Sequence, residues 1–335
     1  MKRAAETARA STVLVGLSLL WLAAMLWSAH ADITGAADPL VAVFQAASAL
    51  PVVVSATMLA AVAAAHGALS WLTSPRWPVA LGAGTLTGAA VGGLILLGYG
   101  TRSSILVLAA SVLAAGMLGG ALGGIRPAAV VAAGIAATLA AFVVDFGLGV
   151  FNSQLMSLFG AGDSVGSRVA AISRIALTLS LAGGAAAGLV AFGYLRRAGV
   201  GRSFPAYLAA GAGPGVLLLL AEAVTRVGGT EVFSLVRGLS QADQTYAEYW
   251  GGSRLNHALI MLFVGALVAL LCLGRTLRPT DPPVPAPGPA DGPAPGPAET
   301  GATDADGTVP TLPPAREPEA QAPTPEPAGR STTGD

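Results

Sequence analysis

Charge is scarce in this chain. Lysine, arginine, aspartate and glutamate make up 11% of its 335 residues, against about 25% in an ordinary soluble domain. A water-soluble protein of this length could not cover its surface with so few charges, so the soluble globular class is excluded. Lysine is nearly missing: of 18 basic residues, only Lys2 is a lysine. Cysteine is reduced to Cys272, within an apolar run. An internal disulfide and a Cys-rich metal site are therefore excluded. His30, His66 and His257 are not at metal-ligand spacing, so no metal is expected, and no cofactor. No basic patch is interleaved with aromatics, which argues against nucleic acid as a partner.

What is present is apolar. Hydrophobic residues make up 53% of the chain, in recurring runs near the length of about 20 residues that crosses a hydrocarbon core of ~30 Å. Eight spans are expected, near 11–29, 51–71, 78–98, 104–124, 127–149, 169–195, 205–225 and 255–275. All should be helices, because backbone exposed to lipid must pair its N–H and C=O groups within its own segment. The fold class is an all-α polytopic membrane bundle over 11–276, after a short basic N-terminus at 1–10. The lipid bilayer is its first partner.

Loop charge predicts the orientation. With the N-terminus inside, the cytoplasmic side holds ten basic residues: Lys2, Arg3, Arg9, Arg76, Arg126, Arg196, Arg197, Arg202, Arg275 and Arg278. The outer side holds five, Arg102, Arg168, Arg226, Arg237 and Arg254, with Arg174 inside a span. The bias points to N-in, C-in, in the cytoplasmic membrane. Abundant Ala, Gly, Pro and Arg suggest a GC-rich bacterial source. The first span also fits a secretory signal, ending in Ala29-His30-Ala31 as an A-x-A site. Cleavage would leave seven spans.

Residues 1–280 carry 16 basic and 9 acidic residues, a net +7, whereas 281–335 carry two basic and nine acidic, a net −7. From 277 the chain reads as an acidic, Pro/Ala/Gly-rich cytoplasmic tail, too poor in apolar residues to fold. It is a candidate protein-docking segment.

Small residues recur every four positions: Gly84, Gly88 and Gly92; Gly116, Gly120 and Gly124; and the pairs Gly184/Gly188 and Gly211/Gly215. Such ridges let helices approach closely where lipid removes the hydrophobic drive between them. Residues 84–122 match 179–217 at an offset of 95, with 14 identities in 39 positions. That offset spans three helices, so the copies would be inverted, a transporter signature. Three Val-Phe starts, at 43–50, 150–158 and 232–239, read as short helices on the outer interface.

The polar residues within the spans are the candidate site. Asp145 lies about five residues before the outer end of span five and Arg174 about five after the outer start of span six, each roughly 7 Å below the interface. A charge alone in hydrocarbon costs several kcal/mol and a partner reduces that cost, so Asp145 is expected to pair with Arg174. Glu222 and Arg226 are spaced i,i+4 for an ion pair. Asn256 and His257 lie near the outer start of span eight. These groups form either an outward-facing polar cavity, binding a solute head group or passing protons, or a structural pin. Pro214 is a candidate hinge.

Other motifs carry less. Gly162-Asp-Ser-Val-Gly166 matches G-x-S-x-G, but it lies between membrane helices without the strand–turn–helix elbow that arms such a serine. Gly211-Ala-Gly-Pro-Gly215 lacks the Lys-Ser/Thr of a phosphate loop. No catalytic residue is assigned and an enzyme is not expected. The function favoured is a permease or transporter-like protein for a small solute or lipid. The alternative is a non-catalytic scaffold or accessory subunit of a membrane complex.

Overall fold

The structure, a computed structural model, describes residues 2–35, 39–72, 76–101, 103–160, 162, 164–228 and 241–276. The tail from 277 and the Val-Phe segment at 232–239 lie outside the described residues. Nine helices and no strand make up the described residues: α1 (Lys2–Thr34), α2 (Pro39–Trp71), α3 (Arg76–Tyr99), α4 (Ser103–Gly123), α5 (Ala128–Val150), α6 (Asn152–Leu158), α7 (Val165–Arg197), α8 (Phe204–Gly228) and α9 (Gln241–Arg275). All but α6 are long and apolar enough to cross a bilayer, and each overlaps one of the eight expected spans.

The chain is turned inside out relative to a soluble fold. Leu20, Leu86, Leu97, Trp27 and Trp71 stand exposed, while Ala56, Ala60, Ala63, Ala115, Ala137, Ala187 and Ala210 are fully buried. Large side chains therefore meet the solvent, which must be lipid, and small ones fill the interior. In α2, 72% of the apolar stretch is buried, against 28–50% in the other seven spans. It is the central post, packed on α1, α3, α4, α5 and α8. Val54, Met58 and Leu59 form its fully buried face.

Local signals end the helices. Gly100 and Gly199, at φ +84° and +70°, take the left-handed conformation that a side chain disfavours. After α7 the amide of Val200 donates to the Leu195 carbonyl and that of Gly199 to Arg196, the two bonds of a Schellman stop. Ser164, the central serine of the G-x-S-x-G match, is the N-cap of α7: its Oγ accepts from the Ser167 amide at 3.2 Å. The match reports a helix start, which is why a serine stands there.

Several boundaries depart from expectation. The segment 43–50 is not a separate interfacial helix but the first turns of α2, which runs on through Pro51. The segment 150–158 does hold a separate helix, α6. α1 is continuous through Ala29-His30-Ala31. It joins the core through Leu14 and Leu22, and Trp21 stacks on Phe142 at 5.7 Å.

The glycine ridges form two seams. A Cβ at Gly116 would stand 2.6 Å from the Gly84 carbonyl oxygen and 2.6 Å from the Gly88 Cα, and one at Gly120 would stand 2.6 Å from the Ala80 carbonyl. The ridges of α3 and α4 are thus pressed backbone to backbone. In the second seam, α9 lies between α7 and α8. A Cβ at Gly188 would stand 2.6 Å from the Gly265 carbonyl, and Gly211 and Gly265 face each other directly.

These seams do not repeat one another. At the offset of 95, Gly88 and Gly116 correspond to Gly183 and Gly211. Gly116 lies against Gly88, yet Gly211 meets Gly265 and Ala269 on α9, while Gly183 meets Met261 and Asp145. The inverted repeat suggested by the identities is not reproduced in the packing, because a helix from outside the matched segments enters the second copy.

Candidate functional site

The α7–α9 seam carries the polar cluster where it continues towards the N-termini of the two helices. The two helices run parallel, in register at a separation of 77 residues: Gly188 on Gly265, Gly184 on Met261, and one turn further Ser180 on His257. Four-residue steps keep all three on one face of each helix. Ser180 Oγ and His257 Nδ1 are 2.7 Å apart. On the far side of the ring, His257 Nε2 stands 3.3 Å from Asp145 Oδ2, on α5. Three helices meet at one imidazole.

The cluster is graded in exposure. Ser180 is only 2% exposed, whereas the His257 and Asp145 side chains are 26% and 22% exposed. The second carboxylate oxygen, Oδ1, is buried without a hydrogen-bond partner. It lies over Gly183, where a Cβ would stand 3.0 Å from Oδ1 and 2.7 Å from the Met261 methyl. Gly183 is thus the residue that makes room for the acid.

The expected partner of Asp145 was Arg174, and this is corrected. Arg174 is exposed, and its Nη1 donates to the Phe159 carbonyl at 3.2 Å. The error is one of depth. α7 has 33 residues, about 50 Å at 1.5 Å per residue, and so outreaches a hydrocarbon core of ~30 Å. Distance counted from its N-terminal end therefore misplaces every residue on it. Measured from the opposite, arginine-rich end, Asp145, Ser180, His257 and Glu222 stand about 25–27 Å along their helices, but Arg174 about 35 Å.

Glu222 and Arg226 do pair, with Nε donating to Oε1 at 2.9 Å. Glu222 is 8% exposed, and Arg254 of α9 also interacts with it electrostatically. Asn256 is exposed, outside the cluster. Pro214 is buried within an uninterrupted α8, beside the close approach of Gly213 to Gly134 of α5. His30 bonds the Tyr99 hydroxyl at 3.0 Å and His66 the Ser11 hydroxyl at 3.3 Å, so the three histidines each tie a different set of helices.

Ser180 and Gly183 were missed from sequence. The signal was available: Ser180 extends the Gly184/Gly188 ridge by one turn. Arg174→Gln follows as a control. It should lower thermal stability by no more than about 0.5 kcal/mol, as for most surface substitutions, in a melting experiment on purified protein. A loss of folded protein would place Arg174 back in the core of the site.

The arrangement resembles a Ser–His–Asp relay in composition only. Ser180 is buried in mid-helix and bonds Nδ1, while the acid takes Nε2. A nucleophile needs access to its substrate, which Ser180 lacks. What the cluster can do is hold and exchange a proton. Comparison with protein-family models, with curated proteins and with solved structures finds no match.

Proposed function

We propose that the protein is a permease or transporter-like protein for a small solute or lipid, with the Asp145–His257–Ser180 cluster as its polar site. The observation that supports this is the Asp145–His257 contact between α5 and α9 within the apolar helices, with one carboxylate oxygen left unpaired. An ionisable residue inside a membrane helix is a functional candidate by default, with transport pathways and proton relays among its roles. The orientation proposed is N-in in the cytoplasmic membrane of a bacterium, which puts the cluster towards the outside and the acidic tail in the cytoplasm, free for a protein partner.

Purified protein reconstituted in liposomes and offered a panel of radiolabelled polar solutes and lipids tests this reading. The wild type should move at least one of them faster than empty vesicles, and Asp145→Asn should reduce that rate at least about tenfold, the scale on which losing one positioned charge of about 1.4 kcal/mol acts. Folded wild-type protein that moves none, or an Asp145→Asn variant as fast as wild type, sinks it. The first of these results would favour a scaffold.

A further inference from the structure

We propose that Asp145, His257 and Ser180 form a reversible proton-binding site in which the Ser180 hydroxyl serves both protonation states by rotation alone.

The argument is a count of hydrogens. Ser180 Oγ has one hydrogen and two neighbours at equal distance: the Ala176 carbonyl oxygen at 2.7 Å and His257 Nδ1 at 2.7 Å. A carbonyl oxygen can only accept, while a ring nitrogen donates or accepts according to its tautomer. With Asp145 as carboxylate, two arrangements keep both ring nitrogens hydrogen-bonded. In the first, the hydroxyl donates to Nδ1, and Nε2–H donates to Asp145 Oδ2. In the second, the hydroxyl turns to the Ala176 carbonyl, Nδ1–H donates to Oγ, and Nε2–H still donates to Asp145.

The two differ by one proton. The first holds a neutral imidazole and a carboxylate, a net charge of −1. The second holds an imidazolium and a carboxylate, a net charge of zero. The proton gained from water ends on Nδ1 and the hydroxyl turns to the Ala176 carbonyl, the two end states sharing one set of heavy-atom positions. On release the proton returns to water and the hydroxyl swings back. The buried hydroxyl cannot be the entry point, since Ser180 is 2% exposed; the ring and carboxylate, 26% and 22% exposed, are where water reaches the cluster.

Among the described residues, the other ionisable groups around this layer are engaged elsewhere. Arg174 and Arg168 on α7 donate to the Phe159 and Gly162 carbonyls. Glu222 and Arg226 on α8 bond each other, and Arg254 on α9 interacts with Glu222. On α5 the polar end is Asp145 alone. The imidazole, with a ring nitrogen on each side in contact with a partner, is thus the carrier. A transporter could use such a site to couple solute movement to protons; that role rests on the proposed transport function, whereas proton binding does not.

The test is ¹⁵N NMR of histidine-labelled full-length protein in lipid nanodiscs, with the His257 signals identified by their loss in His257→Gln. Across a pH series the ring should change reversibly from neutral, with Nδ1 an acceptor, to doubly protonated at the acid end, with Nδ1 a donor. Both forms should show Nδ1 hydrogen-bonded. Ser180→Ala should remove that Nδ1 signature from both, and Ser180→Thr, which keeps a hydroxyl, should restore it. A ring in one form across the range, or Nδ1 signals unmoved in Ser180→Ala, overturns the proposal. A cluster that exchanges its proton in vesicles showing no solute movement defeats the transport reading alone. Solute movement with His257 fixed in one form defeats this inference alone.

Discussion

Gly265→Leu is expected to abolish recovery of folded protein. Gly265 faces the Gly211 carbonyl, and a Cβ there would stand 3.4 Å from the Gly184 carbonyl, so it is the point at which α9 enters between α7 and α8. Overpacking a core costs typically about 1–3 kcal/mol, occasionally more, when neighbouring side chains can yield. Here the obstacle is helix backbone, which cannot change rotamer, so the cost should exceed that range. Fluorescence-detected size-exclusion of a tagged protein should show the monodisperse peak lost or replaced by aggregate. Gly265→Ala, with a single methyl, should be destabilised and still recoverable. A Gly265→Leu protein as monodisperse and as thermostable as wild type would mean that the seam is not in contact.

Gly116→Leu should have a comparable effect on stability for the same reason, since its Cβ would stand 2.6 Å from the Gly84 carbonyl and 2.7 Å from the Gly88 amide nitrogen. Its reach should differ. α3 and α4 pack on each other and on α2, with a smaller contact of α4 on α8, whereas α7 packs on α5, α8 and α9, and α9 on α7 and α8. In whatever folded fraction survives, the histidine NMR signature of the Asp145–His257 contact should be intact for Gly116→Leu. For Gly265→Leu it should be lost, because Ser180 and His257 continue the same register two turns further along the seam. Equal disturbance of that signature by both variants would mean that the bundle yields as one body and that the seams are not separable.

Much of this was legible before any coordinates. The Gly84/Gly88 and Gly116/Gly120 ridges announced close helix contact, and the structure presses them together. The Glu222–Arg226 pair was legible too, because its geometry is internal to one helix: four residues apart on a rigid rod are neighbours whatever the rest of the chain does. Asp145 was legible as a problem but not as a solution. Its acid stood out in FVVDFGLGVF, yet the arginine matched to it by depth turned out to lie about 9 Å nearer the N-terminus of its helix than Ser180 at 1.5 Å per residue.

Composition and run length by themselves determined that the chain is a membrane-crossing helical bundle, because a hydrocarbon solvent of set thickness leaves the backbone one local way to satisfy its hydrogen bonds. Which helix stands at the centre, why α9 rather than α7 supplies the partner of Asp145, and how Ser180 joins them were decided only by the tertiary structure. Contacts between helices depend on rotation and axial register. Neither is written in any single segment, and both emerge only when the small-residue faces of several helices are fitted together at once.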